Sequence, residues 1–373
     1  MVLRIALVLF AAGALGAQDA EGELQSGIAL TRQGRFADAI AHFTAARGRV
    51  RETFALEFNL ALCYVGMRRF APAIEILTHI ERAGHGAQVD NLLAQAWIGN
   101  HQPDAAMKAF RGAASATPSD ERLYLLVAEA CFDAHEFDAG AKVLDIGLAN
   151  LPDAPRLLFE RGLLRSQLDD VHAATDFERA RKLAPGSDIA YIAAAEQALL
   201  SGDVQATIRT ARAGLAAGHE HYLLLTILGE ALLRAGATPA TPAEFTEARS
   251  ALEKAVAARP GYSSAHVALG RVYLAEQRVL DAIAQLEAGR DLDPANRAVY
   301  AALATAYRRA GQPQKAQEAL VMLADLNRQE AARVGSAEGG HAGYVGGRSG
   351  TDQHSSEPAE TPAAQSPSLP PQR

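Results

Sequence analysis

One arrangement returns along the chain and fixes what it can fold into. Between Gly261 and Pro294, His266, Leu269, Gly270 and Tyr273 stand at i, i+3, i+4 and i+7, a single stripe of a helix. A second stripe, Ala282, Ile283, Leu286 and Gly289, follows the polar break Glu276-Gln277-Arg278. The spacing predicts two amphipathic helices joined by a tight turn. Such a hairpin cannot bury both of its apolar faces alone. The chain supplies neighbours: Pro260 closes the preceding segment, and Pro118 and Pro152 are spaced by the same length of about 34 residues. Repeats that each leave a face uncovered stack in line, so the core grows along one dimension.

The residues at fixed sites within that period carry a family resemblance. His266, Leu269, Gly270, Tyr273, Ala282, Leu286, Gly289 and Pro294 fall where the tetratricopeptide repeat places a large residue, Leu-Gly, Tyr, Ala, a large apolar residue, Ala and Pro. His266 and Gly289 depart from it, in place of an aromatic residue and an alanine. Small residues let the helix backbones approach and large ones fill the gaps between them. The resemblance implies an all-α fold, a right-handed superhelical solenoid of about nine helix-turn-helix hairpins. A hydrophobic content of 49% with only 6% aromatic residues suits helices held by small-residue contacts.

In chain order, residues 1–17 carry Arg4, an apolar run from Ile5 to Leu15 and then small residues. That is the layout of a secretory signal peptide, with cleavage expected near Ala17-Gln18. The solenoid is expected over 18–334. Pro103 and Pro313 fall at the start of second helices, where a missing N–H is tolerated. The fifth hairpin matches less well, with Arg161 where a small residue is expected, and Gly140 in the fourth should weaken its helix by roughly 1 kcal/mol. The insertion Ala237–Glu244 predicts a longer second helix in the seventh, with Thr241 as N-cap, Pro242 first in the helix and Glu244 completing a capping box. The last helix is expected to end near Val334. From 335 to 373 the composition turns to Gly, Ser, Pro and polar residues, which cannot offset their ordering entropy, so a disordered tail is expected.

Little in the sequence points to chemistry. It carries no Gly-rich phosphate loop, zinc-ligand cluster or nucleophile motif, so no enzyme activity, cofactor or metal is expected. His219-Glu220-His221 is the tempting pair for a metal, but alternating residues in a turn point apart. Cys63 and Cys131 sit two repeats apart, too far for a disulfide, and read as small core residues. A net charge of −7 argues against nucleic acid as a partner. After signal cleavage no segment is apolar enough to span a membrane.

The resemblance also implies that first-helix positions line a concave groove where peptides or protein partners dock. Carried onto this chain, those positions are Leu24, Ile28, Phe58, Leu62 and Val65, an apolar beginning, then Asn91 and Gln95. Glu129, Arg165, Glu196 and Glu230 follow, and Arg271, Arg308 and Arg309 close the series. The expected function is an exported, non-catalytic interaction scaffold, periplasmic or secreted, whose C-terminal arginines favour an acidic segment of the partner. An accessory role in cell-envelope assembly or polysaccharide export is the alternative, and a glycan-active enzyme a third.

Overall fold

The structure is a computed structural model that describes residues 19–51, 53–84 and 86–342. The expected signal peptide at 1–17 and the tail from 343 lie outside the described residues. Among those described there are eighteen helices and no strand: α1 (19–32), α2 (Phe36–Ala46), α3 (Thr53–Gly66), α4 (Phe70–Arg82), α5 (Gly86–Gly99), α6 (Pro103–Ala116), α7 (Glu121–Asp133), α8 (Phe137–Asn150), α9 (Pro155–Ser166), α10 (Ala173–Leu183), α11 (Asp188–Leu200), α12 (Val204–Ala216), α13 (Tyr222–Arg234), α14 (Pro242–Ala258), α15 (Ser263–Ala275), α16 (Val279–Leu292), α17 (Arg297–Arg309) and α18 (Pro313–Ala342). They pair in order into nine hairpins. First helices also touch the first helices of the next hairpin, as α3 does α5, α5 does α7 and α7 does α9, which stacks the hairpins in line. One apolar cluster runs through the stack from Leu24 to Ala265.

Each hairpin turns on one left-handed residue. Gly34, Arg68, His101, His135, Asp169, Gly202, Gly236, Gln277 and Gly311 all have φ between 53° and 97°. Seven residues before many of these turns lies the small residue of the helix crossing. A Cβ on Gly27 would come within 2.6 Å of the Phe43 ring, on Gly229 within 2.5 Å of Leu252, and on Gly270 within 2.6 Å of Leu286. The same contact in the fifth hairpin is made by Gly162, whose Cβ would meet Phe177 at 2.7 Å. Arg161 is therefore not at the crossing. The stretch from Asp169 to Phe177 is a residue shorter than its counterparts, which shifts the register read backwards from Pro185.

The proline that ends a hairpin is tied to the next. Tyr124 Oη donates to the Pro118 carbonyl at 2.8 Å and Tyr300 Oη to that of Pro294 at 2.9 Å. His266 departs from the repeat pattern without losing this bond: its Nε2 donates to the Pro260 carbonyl at 2.9 Å. Between neighbouring hairpins, a Cβ on Gly66 would strike the Phe36 ring at 2.5 Å and one on Gly99 the Phe70 ring at 2.3 Å.

Pro103, Pro242 and Pro313 begin α6, α14 and α18, as their missing N–H allows. The capping box at the start of α14 does not form. Thr241 Oγ1 accepts from the Thr238 N–H at 2.8 Å and donates to the Thr238 carbonyl, so it closes the inserted turn instead of capping the helix. The chain divides into two compact units at Leu320. In the second, α18 continues to Ala342, beyond the end expected at Val334.

Candidate partner-binding chamber

First helices present one face to the inside of the stack, and in hairpins four to eight this face encloses a cavity of about 640 Å³. Helix α7 contributes Glu129, Phe132 and Asp133, α9 contributes Phe159, Glu160 and Leu163, and α11 contributes Ile189, Ile192 and Glu196. The other wall comes from loops between hairpins: Tyr222 at the start of α13, Arg259 after α14, and Tyr262 before α15. Leu292 and Asp293 complete it, because the stack winds back on itself. Arg68 Nη1 donates to the Leu292 carbonyl at 3.2 Å, His135 Nε2 lies 2.9 Å from Asp293, and Arg259 pairs with Glu129.

The chamber is acidic. Six carboxylates line it (Glu129, Asp133, Glu160, Asp188, Glu196 and Asp293) against two arginines, Arg156 and Arg259. Burial pushes Glu160 up to about 7, with the Glu129 charge adding to the effect. Glu196 is likewise pushed up to about 7 by burial and by Glu230 beside it. Both side chains are among those that line the chamber. Asp133 is raised by burial and by Glu129, and Glu230 by burial, against the pull of Arg234 and Arg271. The Tyr222 and Tyr262 rings meet edge to face at 5.1 Å, and the Arg259 guanidinium lies 5.2 Å from the Tyr222 ring centre. Burial lowers His221, which therefore faces the chamber as a neutral ring at neutral pH.

Of the residues read from the sequence as groove positions, Glu129 and Glu196 line this chamber, and Glu230 adjoins Glu196. Leu24 and Asn91 do not face an open groove. Leu24 is buried in the core, and Asn91 is buried with its amide donating to the Leu123 carbonyl at 3.0 Å, which ties α5 to α7. Gln95 donates to Asn91 Oδ1 at 2.8 Å. Ile28, Phe58, Leu62 and Val65 are half-buried against the core, so the apolar beginning is not a broad exposed patch. Arg165 turns to the second helices, donating to Asp176 on α10 at 2.7 Å and lying 3.5 Å from Asp145 on α8. The register shift in the fifth hairpin is the reason. Arg309 Nη1 donates to the Leu274 carbonyl at 2.6 Å and Arg308 Nε to that of Ala304 at 3.3 Å, while Arg271 is exposed.

Sequence reasoning missed Glu160, Tyr222, Arg259, Tyr262 and Asp293. The loop residues have no place in a pattern read from first helices alone, and Asp293 enters only through the winding. His219 and His221 do point apart: one ring packs 5.2 Å from Tyr191, and the other accepts from the Leu223 N–H at the start of α13. Among the described residues no group of three or more His, Cys, Asp or Glu could hold a metal ion, and no helix is long and apolar enough to cross a membrane. Cys63 and Cys131 are free and buried, and burial pushes the Cys131 thiol up to about 12.

Two family models described as tetratricopeptide repeat match residues 30–96 and 243–297. No curated protein matches the chain. Among solved structures, it is similar to a chain of the Cut9–Hcn1 hetero-tetramer of the APC/C, at 15% identity and a TM-score of 0.49 over 77% of this chain and 56% of that one. The chain thus spans little more than half the length of that relative. It is also similar to a tetratricopeptide repeat protein from Parabacteroides merdae, at 15% identity and a TM-score of 0.48 over 68% of this chain and 99% of that one. A thermophilic member from Thermus thermophilus is 23% identical, with a TM-score of 0.40 over 48% of this chain and 99% of that one. Two matched repeats, and hairpins built with the repeat's packing residues, lead to one conclusion: the chain carries tetratricopeptide repeats, at 30–96 and 243–297.

Proposed function

We propose that the protein is a non-catalytic scaffold that holds a segment of a partner protein in the chamber between hairpins four and eight. The enclosed chamber carries this reading: it has aromatic and aliphatic walls together with charged groups, the mixture that gives a pocket both affinity and orientation. A protein built only to be a spacer has no use for half-buried carboxylates without partners. The mature chain acts outside the cytoplasm, a reading supported by Arg4, the apolar run that follows and the small residues up to Ala17.

The test is affinity capture from an envelope extract with the full chain and with a Ser264→Trp variant. Ser264 lines the chamber, and the larger side chain would occupy it. A partner retained by the native chain and lost from the variant supports the reading. Equal retention by both, or none by either, overturns it.

A further inference from the structure

We infer that the chamber receives a basic side chain, arginine or lysine, projecting from the bound partner segment, with its cationic head against Glu196 and Tyr262 in the chamber that Glu160 also lines. The inference rests on the scaffold reading above and gives the partner its chemistry. Glu196 lies deep in the wall and faces the chamber, yet its carboxylate has neither a hydrogen bond nor an ion pair among the described residues; its charged neighbour is another acid, Glu230. A buried carboxylate in that position is costly unless a counter-charge arrives. Tyr262 feels the charge of both acids.

The chain already displays the recognition it would offer a partner. Arg259 reaches into the same chamber, places its guanidinium by the Tyr222 ring and pairs with Glu129. That is an aromatic face combined with a carboxylate, a combination that holds a cation. Beside it, the Tyr262 ring meets that of Tyr222 and feels the charge of Glu196, so an aromatic face and a carboxylate stand together again, at an acid with no ion pair among the described residues. Leu163 and Ile189, half-buried in the same lining, supply apolar surface for the methylene stem of a lysine or arginine. An acidic segment, which the C-terminal arginines suggested, would meet the wrong sign here.

The experiment is selection of short random-sequence peptides displayed on phage against the full chain, followed by fluorescence anisotropy with the enriched peptides. Enrichment of arginine or lysine is expected, and replacing that residue by glutamine should weaken binding about tenfold or more. The Glu160→Gln/Glu196→Gln double variant should lose affinity to the same extent. Glu178→Gln, on the far side of the stack, should leave it unchanged. The Gln replacements keep the side-chain shape and remove repulsion, and the helical signal by circular dichroism confirms folding. Enriched peptides that are neutral or acidic, or basic ones indifferent to the double variant, overturn this inference and leave the scaffold standing. If no sequence is enriched, both fall.

Discussion

His135 and Asp293 are separated by 158 residues in the chain and by 2.9 Å in space. His135 is the left-handed turn residue of the fourth hairpin, and Asp293 follows the last turn of α16. Beside them Arg68, the turn residue of the second hairpin, donates to the Leu292 carbonyl. The two kinds of contact in this protein thus differ in character. Hairpin upon hairpin is held by buried apolar contacts, whereas one winding meets the next through charged and polar groups at the surface.

The histidine makes the winding sensitive to pH. Its hydrogen bond to Asp293 raises the His135 pKa above its ordinary value, against burial and the nearby Arg68, with Asp133 adding to the rise. A group whose folded pKa is raised contributes stability that is full below the unfolded value and lost as pH rises through the folded one. The contribution is therefore present below about pH 6.5 and fades above it. For an exposed pair it is worth well under about 1 kcal/mol, so it should affect winding and not unfolding. Small-angle scattering should give a larger radius of gyration at about pH 8.5 than at about pH 6. Asp293→Asn should be expanded already at the lower pH. Identical radii for both proteins across this range would refute the clasp.

Gly140 tests packing against propensity. Helix propensity alone says that Gly140→Ala should gain about 1 kcal/mol. In the fold, the added Cβ would lie 2.9 Å from Cys131 Cβ and 2.9 Å from Leu164 Cδ1. Overpacking of this kind costs about 1–3 kcal/mol, so the expected outcome is a lower urea midpoint. Gly22→Ala is the control, since nothing lies within 4 Å of its Cβ and the change should be neutral or stabilising. If both variants gain stability, the close approach of α7, α8 and α9 is wrong.

These glycines also mark what the sequence made legible. Gly27, Gly229 and Gly270, the terminal prolines and the alanines of the second helices give the hairpins their number and register, because close packing leaves few residue types that fit. Pitch is another matter. It accumulates from small rotations at each hairpin, so no single residue announces that Asp293 will meet His135. The fifth hairpin shows a local limit: the shortened stretch after Asp169 carried Arg165 out of the groove, and Glu160 lies two residues before Gly162, outside the first-helix positions read as groove. At Thr241 the capping pattern was present but the inserted turn used the hydroxyl first.

The fifth hairpin also buries an ionic cluster. Asp176 is 2% exposed and accepts from Arg161 at 2.9 and 2.6 Å and from Arg165 at 2.7 Å, while Arg161 also donates to Asp145 at 2.7 Å. Removing one partner leaves buried charge uncompensated, so Asp176→Ala should destabilise by about 3–5 kcal/mol. In a stack with nearest-neighbour coupling the loss should concentrate near α9 and α10. Hydrogen exchange should therefore accelerate in these helices more than in α3 or α15. Uniform acceleration, or none, would contradict the assignment.

The unpartnered carboxylates make the opposite contribution to that of Asp176. Glu196 has a folded pKa of about 7, raised by burial first and by Glu230 second. An acid with a raised folded pKa is protonated more readily folded than unfolded, so the folded state is favoured as pH falls and penalised once the group ionises. The native chain should lose stability as pH rises from about 4.5 to about 7, and Glu196→Gln should lose less over that range, keeping only the share of Glu160 and the other raised acids. At about pH 8 the variant should be more stable by on the order of 1–2 kcal/mol, a figure reduced for the solvent that reaches the chamber. At about pH 4.5, where both forms are neutral, the two should unfold together. The measurement is the urea midpoint across this range at constant ionic strength. Parallel curves would mean that Glu196 already has a counter-charge within the fold.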